Sequence, residues 1–376
     1  MLRHHPAVLL LWVSLAHICY GEETTDAPDP QYESDNILIA AASADEEIAP
    51  LNTERAIQYL EDGAAAWSQE QRCVTCHTNG TYLLIRPQLS SLAGPTNPAI
   101  YEFFAEQLTE FSSLQPEELQ EGTTPAQVVY LAAGLAERDR HEGRAASQQT
   151  DTALRLMLML QKPSGTWGSA DCWPPLESSS FQVATVAAMA LSAVPEWTTL
   201  LTETELKDRI RLLKQYLQTQ PAPHDYGRVL KLWTSQRWPE ILQPDQAHDI
   251  TELLVSRQHV DGGWSLRDFA EPEQWGGGNR AEKLRAEADF EAPASDGHMT
   301  GLALMVLQRE SLPANSKESV ERGLQWLRTN QRVSGRWWTR SLNTDGPHFI
   351  TYSATAYALA ALHMSQEFTV APEFGH

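Results

Sequence analysis

The sequence is poor in basic residues and in cysteine for its length. Only 28 of the 376 residues are Lys or Arg, against 49 Asp and Glu, and the formal net charge is −21 at pH 7. A surface of this sign repels phosphate backbones, so we expect no nucleic-acid partner. Four cysteines are too few for a disulfide scaffold. Beyond the N-terminus no run approaches the roughly 20 apolar residues of a membrane-spanning helix, so none is expected in the mature chain.

The first 21 residues are predicted to be a signal peptide. Arg3 precedes a short apolar run, residues 7–16, and Cys19 and Gly21 supply the small residues that a signal peptidase recognises. We therefore expect an exported protein, periplasmic or secreted; the alternative is a retained N-terminal anchor. Residues 22–50 hold nine acids and no Lys or Arg, and are predicted to be an acidic, disordered leader.

Three copies of one turn motif, Gln-x-x-x-Gly-x-Trp, organise the rest of the chain. They occupy residues 161–167, 258–264 and 331–337, and an apolar run rich in Ala, Thr and Leu follows each copy after a loop. Each copy also follows an amphipathic helical stretch. Repetition at this scale predicts a helical repeat protein of about five helix pairs.

The chain is therefore predicted to be all-α, an α/α toroid of helix pairs in two concentric layers. The polar first helices suit the outer layer, and the small, apolar second helices suit the inner one; an open α-solenoid is the structural alternative. The predicted divisions are an N-terminal helical segment (51–145), the toroid repeats (146–365) and a tail (366–376).

With these turns, the chain resembles the squalene–hopene cyclase and oxidosqualene cyclase family, whose toroid is shared with prenyltransferase β subunits. The resemblance covers roughly residues 150 to 365, with weaker similarity from residue 52. It implies a central cavity for a hydrophobic small molecule. It also leaves two alternatives open: a terpenoid- or lipid-active enzyme, and a lipid- or peptide-binding toroid.

The chain departs from the chemistry of that family. The cyclases protonate their substrate with an Asp-x-Asp-Asp motif, and nothing here matches it. The zinc-dependent prenyltransferases use an Asp-x-Cys pair, and Asp296 has no Cys two residues later. Carbocation formation needs a strong, positioned acid. We therefore expect no squalene cyclisation.

A second motif lies near residue 75. Cys73, Cys76 and His77 form Cys-x-x-Cys-His, the attachment sequence of c-type haem. The two thiols would bond to the porphyrin, and His77 would be the axial ligand of the haem iron. Haem c is therefore the expected cofactor, with a redox or sensing role. A Cys73–Cys76 disulfide or reduced pair, and another metal such as zinc with His77, are the alternatives.

The second axial ligand of such a haem is not obvious from the sequence. No Met occurs between residues 2 and 156, and between residues 78 and 150 the only His is His141. The iron would be five-coordinate, or would take a ligand from the toroid such as Met157 or His298.

Acids and histidines recur where the inner helices are predicted to begin. We single out five as candidates for the cavity: Glu177, Asp296, His298, Asp345 and His348. Helix capping alone explains the acids, because a carboxylate accepts from free backbone N–H groups. The histidines are harder to explain in this way and could ligate a metal or move protons.

Overall fold

The computed structural model describes residues 29–170, 174–176, 179–309 and 314–367. These residues form six helical hairpins, in which odd-numbered helices are the first members and even-numbered helices the second. The helices are α1 Thr53–Glu70, α2 Asn79–Ile85, α3 Pro98–Ser113, α4 Thr124–His141, α5 Gln148–Met159, α6 Ser180–Ala193, α7 Thr204–Thr219, α8 Asp225–Ser235, α9 Pro244–Ser256, α10 Gly297–Leu307, α11 Ala314–Thr329 and α12 Ile350–Glu367. Shorter helical segments include Ser90–Ala93, Pro195–Leu200 and Ala281–Arg285.

The even-numbered helices form a closed inner ring. Each packs against the next one, from α2 through α4, α6, α8 and α10 to α12, and α12 packs back onto α2. Inner helix α10 is buried along its whole length, whereas outer helix α7 buries only one face. The predicted all-α toroid with two concentric layers is confirmed. The ring has six pairs rather than about five. The additional pair is α3 and α4, which has no turn motif.

The three motif turns have the same internal structure. Trp167, Trp264 and Trp337 are fully buried, and each indole N–H donates to the carbonyl ten residues earlier, at 2.7, 2.7 and 2.8 Å. In each turn the Gln amide donates to the carbonyl of the motif glycine, at 3.2, 2.7 and 2.8 Å. The turns therefore satisfy polar groups at the end of an outer helix.

The glycine of each turn lies against the next outer helix. Gly165, Gly262 and Gly335 have φ of +91°, +96° and +90°. A Cβ on Gly335 would lie 2.7 Å from the backbone carbon of Arg55, in α1. Gln331 also donates to the carbonyl of Asn52, the residue before α1, at 3.0 Å. The last turn thus holds the first helix, and this contact closes the outer layer.

Residues 29–50 differ from the disordered leader that their composition predicts. Strands β1 (Tyr32–Ser34) and β2 (Ile37–Ile39) form an antiparallel hairpin, and Tyr32 is buried against aromatic rings of α1 and α12. Farther along, Glu46 forms an ion pair with buried Arg336 at 2.9 Å. The buried ring of Tyr32 and the ion pair of Glu46 hold this segment in place despite its acidic composition. Residues 1–28 and 368–376, with the predicted signal peptide, lie outside the described residues.

None of the helices in the described ranges combines the length and the apolar character that crossing a membrane requires.

Candidate functional site

A pocket opens at the mouth of the ring, where the inner helices begin. Its volume is about 290 Å³. Four segments form its wall: the loop between α1 and α2, the start of α4, residues 174–176 before α6, and the loop leading into α12. Cys73, Cys76 and His77 all border it. The Cys-x-x-Cys-His segment therefore lies on one side of a single pocket.

The remainder of the pocket wall is apolar or neutral. Trp67, Val74, Ala126, Leu176, Phe349 and Ile350 supply the apolar part. Thr123, Gln127, Tyr130, Ser341, Asn343 and Thr344 supply neutral polar groups. Of the described residues, no Lys, Arg, Asp or Glu borders the pocket. The site therefore suits a ligand with a large uncharged surface.

His77 is held by two aromatic rings and one hydrogen bond. Its ring stacks on Phe349 with centroids 4.8 Å apart and an interplanar angle of 12°. It meets the ring of Trp67 edge-on, with centroids 4.7 Å apart. Its Nδ1 lies 2.8 Å from Thr78 Oγ1. Burial lowers the pKa of His77 to about 3, so the imidazole is neutral at physiological pH. Within the described part of the chain, Nε2 has no hydrogen-bond partner.

The N-terminal hairpin supports His77 from behind. Tyr32 Oη lies 2.8 Å from Thr78 Oγ1, and both side chains are buried. The hydroxyl of Thr78 therefore bridges a tyrosine of β1 and the ring of His77. A ligating histidine usually bonds through its second ring nitrogen in this way, which fixes the orientation of the ring.

The loop that carries the two cysteines is fixed by side chains of α2. Asn79 donates to the carbonyl of Cys73 at 3.0 Å and accepts from the N–H of Thr75 at 2.8 Å. Thr81 donates to the carbonyl of Cys76 at 2.6 Å. Gly80 allows the loop to approach closely, because a Cβ there would lie 2.5 Å from the carbonyl oxygen of Thr75. The backbone of the motif is therefore ordered by bonds to α2.

The two thiols are not joined to each other by a disulfide bond. Cys73 is half-buried, and burial raises the pKa of its thiol. Zinc requires its ligands to converge on one point at 2.0–2.3 Å. No three His, Cys, Asp or Glu side chains of the described residues are placed to do this. A porphyrin makes a different demand, because its two thioether bonds and its axial ligand attach to separate atoms.

Aromatic side chains fill the interior of the ring below the pocket. Trp233 of α8 contacts Tyr357 of α12 across the ring, with centroids 5.8 Å apart. His298 of α10 contacts the ring of Tyr357 at 5.0 Å, and its Nε2 lies 3.0 Å from the hydroxyl of Tyr226. Helices α8 and α12 are not neighbours in the ring, so these side chains meet near its axis. The pocket at the mouth is thus separate from the filled interior.

The hydrogen bonds of His298 define its tautomer. The hydroxyl of Ser353 donates to the carbonyl of Ile350 at 2.9 Å, so its oxygen accepts the Nδ1–H of His298, also at 2.9 Å. Nε2 then accepts from the hydroxyl of Tyr226. Burial lowers the pKa of His298 to about 3, consistent with a neutral ring. Both nitrogens are therefore in use.

We expect Tyr226→Phe to destabilise the protein, because it leaves Nε2 of His298 buried without a donor. The expected loss is about 1–3 kcal/mol in the free energy of unfolding, measured by urea denaturation. Tyr216→Phe is the matched control, since the hydroxyl of half-buried Tyr216 makes no hydrogen bond to the described residues, and its effect should stay within about 0.5 kcal/mol. Equal effects of the two substitutions would contradict the hydrogen bond between Tyr226 and His298.

Asp296 caps helix α10. Its carboxylate accepts from the N–H of Met299 at 2.9 Å and from the N–H of Leu266 at 2.5 Å. Burial raises its pKa to about 6. An acid that protonates an alkene must face the substrate, and Asp296 is not among the described residues that line the pocket at the mouth of the ring. Its position is that of a structural cap.

The other candidates are dispersed. Asp345 lies at the surface in ion pairs with Arg280, Lys283 and Arg340, at 3.1, 3.1 and 2.8 Å, and these cations lower its pKa to about 2 against the opposing effect of partial burial. His348 packs on Trp338. Glu177 lies outside the described residues. The structure does not bring Asp296, His298, Asp345 and His348 together on one cavity.

Histidine also acts as a backbone acceptor near the helix starts. Nδ1 of His224 accepts from the N–H of Gly227 at 3.0 Å and caps α8, and Nδ1 of His348 accepts from the N–H of Ser341 at 3.2 Å. Burial lowers the pKa of each to about 4. A neutral imidazole can accept at a helix N-terminus where a charged one cannot. His224 is thus a helix cap, whereas His348 accepts from a loop and His298 bonds to two side chains.

Comparison with known proteins supports the fold. No protein-family model and no curated protein matches the chain. A polysaccharide lyase structure matches with a TM-score of 0.51 at 10% identity, over 85% of this chain and 99% of that one. The type II terpene cyclase MstE from Scytonema matches at 0.48 and 12%, over 82% and 99%. An unsaturated glucuronyl hydrolase specific for heparin matches at 0.49 and 11%, over 92% and 93%. The first of these matches supports the fold, and at 10% identity it carries no activity.

Proposed function

We propose that this protein carries one covalently attached haem c in the pocket at the mouth of its toroid, and uses it in a redox or sensing role outside the cytoplasm. One observation carries the proposal: Cys73, Cys76 and His77 border the same uncharged pocket. The thiols would hold the porphyrin edge and His77 the iron. Bound haem supplies one-electron chemistry or ligand binding at iron.

The orientation of His77 supports this assignment. With Nδ1 bonded to Thr78 and the ring held between Trp67 and Phe349, the lone pair of Nε2 is the part of the imidazole that remains to coordinate a metal. Burial lowers the pKa of His77, so the ring is neutral, and the tautomer with the proton on Nδ1 leaves the Nε2 lone pair for a metal. These residues position a neutral ligand without further rearrangement of the ring.

The pocket fits a partly exposed porphyrin. Its volume of about 290 Å³ lies at the low end of the usual range for small-molecule sites, so part of the macrocycle would remain at the opening. The wall provides no cation for the propionates among its described residues. If the propionates point to solvent at the mouth of the ring, the macrocycle is partly exposed and the propionates need no cation from the wall.

The test is expression of the full chain in a bacterium that matures c-type haem. We expect the purified protein to keep its red colour after denaturation and to carry the mass of one haem. Cys73→Ser with Cys76→Ser should lose both. The control is Cys172→Ser, which removes the one cysteine of the sequence after residue 76 and should keep them. A wild-type protein with the mass of the bare processed chain would refute the proposal.

A hydrophobic ligand in the same pocket is the second candidate. It is favoured by the apolar wall formed by Trp67, Leu176, Phe349 and Ile350. A colourless protein that binds an apolar fluorescent probe, and loses this binding on Leu176→Asp, would support it over haem.

A further inference from the structure

We propose that Ser295, His259 and Asp268 form the catalytic triad of a serine hydrolase, active on esters of short-chain carboxylic acids. The site lies beside the second motif turn. None of these three residues is part of the described wall of the pocket at the mouth of the ring, so the proposal is independent of haem.

The three side chains are joined by two consecutive hydrogen bonds. The hydroxyl oxygen of Ser295 lies 3.0 Å from Nδ1 of His259, and Nε2 of the same ring lies 2.7 Å from a carboxylate oxygen of Asp268. Asp268 belongs to the short helical segment Leu266–Phe269. A serine nucleophile needs a base at about 2.6–3.2 Å and a third group that orients the base. Such a triad is defined by this geometry, whatever the order of its members in the sequence.

The carboxylate of Asp268 defines the tautomer of His259. A carboxylate can only accept, so Nε2 carries a proton, and Nδ1 of the neutral ring turns a lone pair toward the hydroxyl of Ser295. His259 can therefore take the hydroxyl proton as a general base, and Asp268 then stabilises the imidazolium.

A second carboxylate also contacts the hydroxyl of Ser295. Oδ1 of Asp261 lies 2.8 Å from the serine oxygen, and Oδ2 accepts the indole N–H of Trp326 at 3.0 Å. An imidazole is ordinarily a much stronger base than a carboxylate, so a proton that leaves the hydroxyl goes to His259. Asp261 thus holds the serine side chain in place.

Backbone contacts of the motif turn position the nucleophile and the base. The N–H of His259 donates to the carbonyl of Gly263 at 2.9 Å, which closes the turn. Gly263 lies directly against Ser295, since a Cβ built on this glycine would be 2.6 Å from the Cβ of the serine. The N–H of Asp296 donates to the carbonyl of Trp264 at 2.8 Å, which fixes the backbone next to the serine.

A small pocket of about 150 Å³ opens beside Ser295. Trp326 and Trp338 give its wall apolar surface, and Arg332 gives it a cation. Nη1 of Arg332 donates to the carbonyl of Glu46 at 2.8 Å, which holds the guanidinium at this wall. The volume is below the usual range for small-molecule sites, so it suits an acyl group of a few carbon atoms. A positive group on the wall favours the oxyanion that forms during acyl transfer.

The chemistry is ester hydrolysis in two steps. Oγ of Ser295 attacks the carbonyl carbon while its proton passes to Nδ1 of His259, and the alcohol leaves with that proton. Water then attacks the acyl-serine and gives a proton to Nδ1. The carboxylic acid leaves, and the proton returns to Oγ. One water molecule is consumed for each ester, and the triad is restored.

The experiment uses the purified full chain with two probes, p-nitrophenyl acetate and a fluorophosphonate, which bonds covalently to activated serines. We expect hydrolysis of the ester above the buffer rate, and one fluorophosphonate on the tryptic peptide that contains Ser295, identified by mass spectrometry. Ser295→Ala and His259→Gln should each lower the rates of hydrolysis and labelling by about 100-fold or more. Ser256→Ala is the matched control and should change neither rate, because Ser256 is exposed and its hydroxyl donates to the carbonyl of Leu253.

Labelling of the wild-type protein decides the proposal even if a substitution weakens folding. A wild type that takes up no fluorophosphonate at Ser295 would overturn it, whatever the rate with p-nitrophenyl acetate, because ordinary surface histidines also cleave this activated ester slowly. A folded Ser295→Ala variant that is labelled as fast as the wild type would overturn it as well. Presence or absence of covalent haem bears on neither result.

Discussion

Gly335→Ala is expected to destabilise the protein by about 2–5 kcal/mol, combining the strain of a left-handed backbone with overpacking. The added Cβ would lie 2.7–2.8 Å from backbone atoms of Arg55 and Ala56, at a φ of +90°. Neither helix α1 nor the turn can move aside, because Trp337 is fully buried behind the turn. Urea denaturation measures the loss.

Two other glycines separate the effect of backbone strain from the effect of overpacking. Gly122 has a φ of +52° and nothing within 4 Å of its added Cβ, so Gly122→Ala reports conformational strain alone, at about 1–2 kcal/mol. Gly346 has open space and no positive φ, so Gly346→Ala should be nearly neutral. If Gly335→Ala costs no more than Gly122→Ala, the contact that closes the ring is not formed in solution.

Stability is expected to fall steeply between pH 7 and pH 5. His298, His224 and His348 are buried and neutral, with pKa values lowered to about 3, 4 and 4. The unfolded chain binds their protons below its pKa of about 6.5, so the stabilisation is complete above that pH and is lost as the pH falls. Each of these three histidines should lower the free energy of unfolding by about 2 kcal/mol at pH 5 relative to pH 7. Asp296, with its pKa raised to about 6, opposes them by about 1 kcal/mol.

His224→Asn tests this dependence without removing the helix cap. Asparagine caps well and does not titrate, so the variant should lose up to about 1.4 kcal/mol per pH unit from the slope of stability against pH. His248→Gln is the control, a substitution at a histidine whose side chain is exposed. An unaltered slope in His224→Asn would show that His224 is not buried as a neutral group.

The repeated turns made the fold predictable. Trp167, Trp264 and Trp337 recur with the same spacing to Gln and Gly, and each makes the same hydrogen bonds. Because these bonds join residues close in sequence, they appear in the sequence as a repeated motif. The pair α3 and α4 has no motif turn, and the packing of α4 against α2 and α6 leaves no such local signal.

The candidate site was only partly predictable. Cys73, Cys76 and His77 are close in sequence, so their motif can be read directly. The groups that orient His77 come from distant segments: Phe349 from the loop before α12, and Tyr32, through Thr78, from a segment with a disordered composition. Contacts of this range leave no periodic signal. The histidine cap of α8 was missed because capping residues are usually sought among Ser, Thr, Asp and Asn.

Closure of the ring also sets an order of events during biosynthesis. The chain is made from its N-terminus, and contacts between distant segments form late because loop closure is costly. Phe349, which covers His77, belongs to the last hairpin. While the ring is incomplete, the Cys-x-x-Cys-His loop of a nascent chain is therefore accessible, and the proposed haem would be attached at this stage. Arrival of the final hairpin would then place Phe349 over His77 and bring the last segment of the protein against the first.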